Sequence, residues 1–176
     1  MGNYSYLCQH DLYKRCEMRF LGNIEAKTDA KGRVFLPSSF RRELQASGGE
    51  ALVLRKDVFQ SCLVLYPEVV WNEQMDNMRK RLNRFNARHQ LVFRQFVSEV
   101  EKVILDGNGR FLIPKRFLQA ANISQQVRFI GMGDTIEIWS ASNTEQPFMA
   151  HEDFMAALEE VMGNEESAEQ QTQSEQ

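Results

Sequence analysis

Asp29-Ala30-Lys31-Gly32-Arg33-Val34-Phe35-Leu36-Pro37-Ser38-Ser39-Phe40 occurs a second time in the chain, as Asp106-Gly107-Asn108-Gly109-Arg110-Phe111-Leu112-Ile113-Pro114-Lys115-Arg116-Phe117. Asp, Gly, Arg, Pro and Phe recur at identical offsets, and the three positions between Arg and Pro are apolar both times. A repeat this ordered marks a duplicated structural unit. Each copy predicts a strand, a tight turn, a second strand and then a helix. Ile24-Glu25-Ala26-Lys27 alternates apolar and polar, as a half-buried strand does, and Val100 to Leu105 is its more apolar counterpart. The turn Asp can accept hydrogen bonds from backbone N–H groups just ahead of it. Gly32 and Gly109 fall where a hairpin needs a positive φ. Val34-Phe35-Leu36 and Phe111-Leu112-Ile113 are the return strands. Pro37 and Pro114 end them, because proline has no N–H for a ladder but suits a first helical turn.

Turn and fold chemistry account for the repeated Asp, Gly and Pro. They do not account for Arg33 and Arg110. Two readings stand open at this point: a structural salt bridge to the turn Asp, or a cation carried on a hairpin tip toward phosphates and base edges, which the planar guanidinium fork suits. The order D-x-K-G-R-x-x-x-P, then D-x-x-G-R-x-x-x-P, resembles the MraZ family, within the wider SpoVT/AbrB-like swapped-hairpin class. The likeness runs from about Met18 to Gly163, and takes in the helical insert and Gly131-Met132-Gly133-Asp134-Thr135-Ile136-Glu137-Ile138-Trp139. The resemblance implies an α+β fold of two tandem pseudo-symmetric swapped-hairpin β-α-β repeats around a small barrel-like core. It also implies a bacterial transcriptional regulator, a ring-shaped homo-oligomer that binds repeated DNA boxes upstream of division and cell-wall genes. The candidate DNA-binding residues are Lys31, Arg33 and Arg110 at the tips, with Arg41 and Arg42 on the helix after the first. Asp29, Gly32, Asp106 and Gly109 are the turn formers. Lys31 has Asn108 as its counterpart, so the first tip carries one more charge and is the better candidate.

Around the repeats the chain divides readily. Residues 1–17 have no clear period and read as an extension outside the fold, consistent with a misassigned start codon. Cys8, His10 and Cys16 offer zinc chemistry there, but without a fourth ligand or a usual spacing. Residues 18–66 form the first repeat: a helix from Phe40 to Ala46 stopped at Ser47-Gly48-Gly49, then strands at Ala51–Arg55 and Cys62–Tyr66. Residues 67–97 form a helical insert, whose first helix is predicted to run from Pro67 to about Arg84. Its Arg79, Lys80, Arg81, Arg84, Arg88 and Arg94 occur without an acidic residue among them, interleaved with apolar side chains. That pattern suits a nucleic-acid-binding helix or, preferably, a solvated face over a core stripe. Residues 98–141 form the second repeat, with strands at Val127–Ile130 and Ile136–Trp139. Residues 142–162 end in an amphipathic helix bearing Phe154, Met155, Leu158, Val161 and Met162. Residues 163–176 are Glu, Gln and Ser without an apolar face, and read as a disordered acidic tail.

The formal net charge of −3 speaks weakly against a nucleic-acid partner. Residues 1–17 are neutral and the tail carries four glutamates, so removing both leaves residues 18–162 at +1. Such a protein binds DNA if its positive charge gathers on one face. The three cysteines are scattered, which fits a reducing cytoplasm. No run is apolar enough to span a membrane. Asp106-Gly107-Asn108-Gly109-Arg110 starts like a calcium loop, but Arg110 and Phe117 stand where acidic ligands belong. No nucleophile–base pair or phosphate loop is present, so neither an enzyme, a cofactor nor a small-molecule substrate is expected. The expected partners are double-stranded DNA and further copies of the chain, in the cytoplasm at the nucleoid. An oligomeric scaffold without sequence-specific DNA binding is the alternative.

Overall fold

The computed structural model describes residues 19–49, 51–141 and 147–173, with side chains to residue 163. Residues 1–17, with Cys8, His10 and Cys16, lie outside the described part. The elements are β1 (Asn23–Lys27), β2 (Arg33–Phe35), α1 (Ser38–Ala46), β3 (Ala51–Lys56), β4 (Leu63–Pro67), α2 (Glu68–Arg81), α3 (Ala87–Ser98), β5 (Val100–Ile104), β6 (Arg110–Leu112), α4 (Lys115–Ala120), β7 (Gln126–Gly131), β8 (Ile136–Ser140) and α5 (His151–Gln173).

Each repeat therefore runs strand, turn, strand, helix, but the two strands beside a turn do not form a ladder with each other. β2 pairs with β6, antiparallel, in a two-stranded ribbon. The other six strands form an antiparallel sheet in the order β1-β7-β8-β4-β3-β5. β1 of the first repeat lies against β7 of the second, and β5 of the second against β3 of the first. The registers make this exchange two-fold. Val34 faces its own counterpart, Phe111, while Arg33 faces Leu112 and Phe35 faces Arg110. At the sheet centre Val64 faces Glu137, with Leu63–Ile138 and Leu65–Ile136 on either side. The chain is thus α+β and built from two pseudo-symmetric swapped halves. Contrary to the expectation of a barrel-like core, the sheet is open: β1 and β5 are its two edges, and the ribbon is a separate ladder.

The core follows from strand alternation. Val34, Leu36, Phe111 and Ile113 are buried, while Phe35 and Leu112 between them are 54% and 51% exposed. Phe20 packs edge-on to Phe40, and Phe111 edge-on to Phe129. Trp139 is only 4% exposed and clusters with Cys62 and Ile130, so it belongs to the interior.

The insert departs from the single helix predicted to about Arg84. α2 stops at Arg81, Leu82 is extended, and Asn86 caps α3 by accepting from the Arg88 and His89 N–H groups. The Asn83 N–H donates to His89 Nδ1 at 2.9 Å, which fixes the intervening turn. The six basic residues are spread over two helices and a turn, not along one face. Trp71 stacks on Phe96 at 5.1 Å, and the buried Arg55 guanidinium lies 4.4 Å from the Phe96 ring centre, tying the helical pair to β3.

α5 belongs to a second unit, Thr144–Gln176, separate from Met1–Asn143. It continues to Gln173, through most of the stretch expected to be a disordered tail. Glu, Gln and Ala favour a helix even without an apolar face, and composition alone reports on burial more than on backbone.

Candidate nucleic-acid interface

Each turn is held by its aspartate. Asp29 Oδ1 accepts from the Lys31 and Arg33 N–H groups, both at 2.9 Å, and Oδ2 accepts from Arg33 Nε at 2.7 Å. Asp106 repeats the pattern with Asn108 N, Arg110 N and Arg110 Nε, each at 2.9 Å. The backbone N–H of the repeat arginine, first of all, holds each carboxyl below its ordinary value of 3.8. Gly32 and Gly109 take φ of +85° and +80°, as the turn requires.

Both arginines pair with their own Asp, so the salt-bridge reading describes a real contact. Neither side chain is buried by it: Arg33 keeps 39% and Arg110 28% of its side-chain exposure. The pairing uses Nε, which leaves the terminal guanidinium nitrogens for an outside acceptor. The Asp therefore orients the Arg.

The ribbon register puts Arg33, Phe35, Arg110 and Leu112 on one face, opposite the buried Val34 and Phe111. Arg110 Cζ stands 5.6 Å from the centre of the Phe35 ring. Phe35 and Leu112 went unnoticed among apolar strand residues, although a period of two separates them from their buried neighbours. Lys31 is exposed on the first turn. Arg41 lies elsewhere than its repeat suggests: its Nη1 donates to Asn108 O of the second turn at 3.2 Å. Arg42 is exposed on α1 and makes no hydrogen bond or ion pair with either turn among the described residues.

Duplicated Asp–Gly–Arg turns joined through an exchanged ribbon can be set against known proteins. The family model described as "MraZ protein, putative antitoxin-like" matches residues 19–95 and again 96–165. The chain belongs to the MraZ family. It is 65% identical over 152 residues to the transcriptional regulator MraZ of Phocaeicola vulgatus, covering 86% of this chain and 99% of that protein. The transcriptional regulator MraZ of Bacteroides thetaiotaomicron is 61% identical over 84% of this chain and 95% of its own length. That of Christiangramia forsetii is 37% identical over 85% and 96%. These relatives are named as regulators, not enzymes, and the two family matches meet within the last turns of α3, just before β5 opens the second repeat.

Proposed function

We propose that this chain is a transcriptional regulator that binds double-stranded DNA through its two Asp–Gly–Arg turns and the ribbon between them. The observation that carries the reading is the exposed ribbon face, with Arg33 and Arg110 each oriented by an aspartate beside Phe35 and Leu112. A two-stranded ribbon fits the major groove, where guanidinium groups reach phosphates and guanine edges. Lys31, Arg41 and Arg42 add cations nearby in sequence or space. The names of the relatives support the regulatory role.

One chain offers few phosphate contacts, so a homo-oligomeric ring acting on repeated boxes gains affinity through effective concentration. The exposed stripe of Phe154, Met155, Leu158, Val161 and Met162 on α5 and the bare Phe85, 99% exposed, leave apolar surface for contacts between copies. Upstream regions of division and cell-wall genes are the targets the family resemblance suggests.

The test is binding of the purified chain to duplex DNA from upstream of its own gene. Affinity is expected to fall with salt on a log–log line, and Arg33→Ala to lower that slope by about one phosphate's worth while the melting curve stays put. Unchanged affinity and slope in Arg33→Ala and Arg110→Ala alike would refute the assignment of the turns.

A further inference from the structure

We propose that Arg41 belongs functionally to the second turn, and there supplies the cation that Lys31 supplies at the first. The inference rests on the reading that the turns face DNA. The two-fold exchange makes it visible. After β2 the chain passes the second turn, where the Leu36 N–H donates to Gly109 O at 3.0 Å, and α1 begins immediately afterwards. After β6 the chain passes the first turn in the same way, with the Ile113 N–H donating to Gly32 O at 2.9 Å. The helix following each ribbon strand therefore lies over the turn of the other repeat.

At equivalent places on these helices stand Arg41 and Leu118. Leu118 Cδ1 lies 3.2 Å from where a Cβ on Gly32 would be. Arg41 Cδ and Cζ lie 2.6 and 2.8 Å from the corresponding point on Gly109. The same site is thus filled by an aliphatic side chain over the first turn and by an arginine over the second. Packing does not demand the charge, because leucine does the packing at the first turn.

What differs alongside is the turn residue itself. Lys31 occupies the first turn and Asn108 the second. Lysine on the turn goes with leucine above it, and asparagine with arginine above it. Each turn ends with two cations: Lys31 and Arg33 at one, Arg41 and Arg110 at the other. The expectation that the first tip is the stronger for its extra charge is replaced by two tips of equal charge built differently. One Arg41 nitrogen is spent on Asn108 O, and Arg41 Nε is buried without a hydrogen-bond partner among the described residues. That leaves one Arg41 nitrogen to donate to a phosphate oxygen of the DNA backbone.

The experiment compares Arg41→Leu, Arg41→Gln, Asn108→Lys and the double variant Arg41→Leu/Asn108→Lys on duplex DNA from upstream of the chain's own gene, with melting curves in parallel. Arg41→Leu is expected to weaken binding about tenfold at low salt and to lower the salt slope by about one. Arg41→Gln keeps a donor for Asn108 O without the charge and is expected to weaken binding likewise. The double variant gives the second turn the side chains of the first, and is expected to recover affinity and slope. Full affinity in Arg41→Leu or Arg41→Gln, or a loss that Asn108→Lys fails to restore, overturns the inference. If Arg33→Ala and Arg110→Ala weaken binding while Arg41→Leu does not, this inference fails alone. If none of the three weakens it, the DNA reading of the turns has failed with it.

Discussion

Alanine at the two turn glycines separates backbone strain from the placement of Arg41. Both positions have positive φ, and a side chain held there costs about 1–2 kcal/mol. The surroundings differ. A Cβ on Gly32 would lie 2.8 Å from the carbonyl oxygen of Ile113, fixed backbone at the joint of β6 and α4. Overpacking against such a group adds about 1–3 kcal/mol, so Gly32→Ala is expected to cost about 2–5 kcal/mol in all. The three atoms nearest to a Cβ on Gly109 all belong to the Arg41 side chain, which can swing away. Gly109→Ala should therefore cost little beyond the φ penalty of about 1–2 kcal/mol. The assay is thermal or urea unfolding at one protein concentration, where each kcal/mol is about 2–4 °C for a chain of this size. DNA affinity should show the reverse asymmetry relative to stability. Gly109→Ala displaces Arg41 from the second turn and is expected to weaken binding more than its small loss of stability suggests. Equal destabilisation by the two alanines, or unaltered DNA affinity in Gly109→Ala, would refute the reasoning.

Phe111 and Phe35 are on opposite faces of the ribbon, so Phe111→Ala is expected to cost about 3–5 kcal/mol and Phe35→Ala less than about 1 kcal/mol, measured by chemical unfolding; similar costs would contradict the alternation. Asp29 and Asp106 have folded-state pKa values below 3.8, so their contribution to stability is present above the unfolded value and lost as pH falls through the folded one. Melting temperature should accordingly drop below about pH 4, and Asp29→Asn/Asp106→Asn should flatten that drop; an acid limb of undiminished steepness counts against the turn hydrogen bonds. Cys62 is fully buried, and burial, with Glu137 and Asp57 nearby, pushes its thiol up to about 12. Peptide mapping after thiol labelling should find Cys62 modified only in unfolded protein, and rapid labelling of the native chain would show that the interior around Trp139 opens.

Much of the fold was legible because its determinants are local. Asp, Gly and Pro at fixed offsets specify a turn, a strand end and a helix start whatever the rest of the chain does, and both copies fold so. The stop of α1 at the Ser47-Gly48-Gly49 stretch was equally readable. Strand pairing was not, since nothing in Ile24–Lys27 names Gln126–Phe129 as its partner; the exchanged arrangement came from the family resemblance, not from the residues. The break between α2 and α3 did leave a mark, the asparagines Asn83 and Asn86, but it was hidden inside a run of helix-favouring basic residues. The place of Arg41 could not be read at all. It depends on which repeat's helix covers which turn, and that is settled only once β2 lies on β6.

The exchanged strands also set a timetable for the chain as it is made. β1 leaves the ribosome early, yet its partner β7 is encoded about a hundred residues later: Asn23 waits for Ile130 and Lys27 for Gln126. At about 5–20 residues per second, that is a delay on the order of 5–20 s before the first repeat can complete its share of the sheet. During that interval Val34 and Leu36 have no β6 to cover them, and β3 has no β5. Contacts so distant in sequence also slow folding once synthesis is complete. A nascent first repeat therefore presents apolar, unpaired strands to whatever is nearby, including the first repeat of another nascent chain, whose β2 differs from the awaited β6 only as Val34-Phe35 differs from Phe111-Leu112.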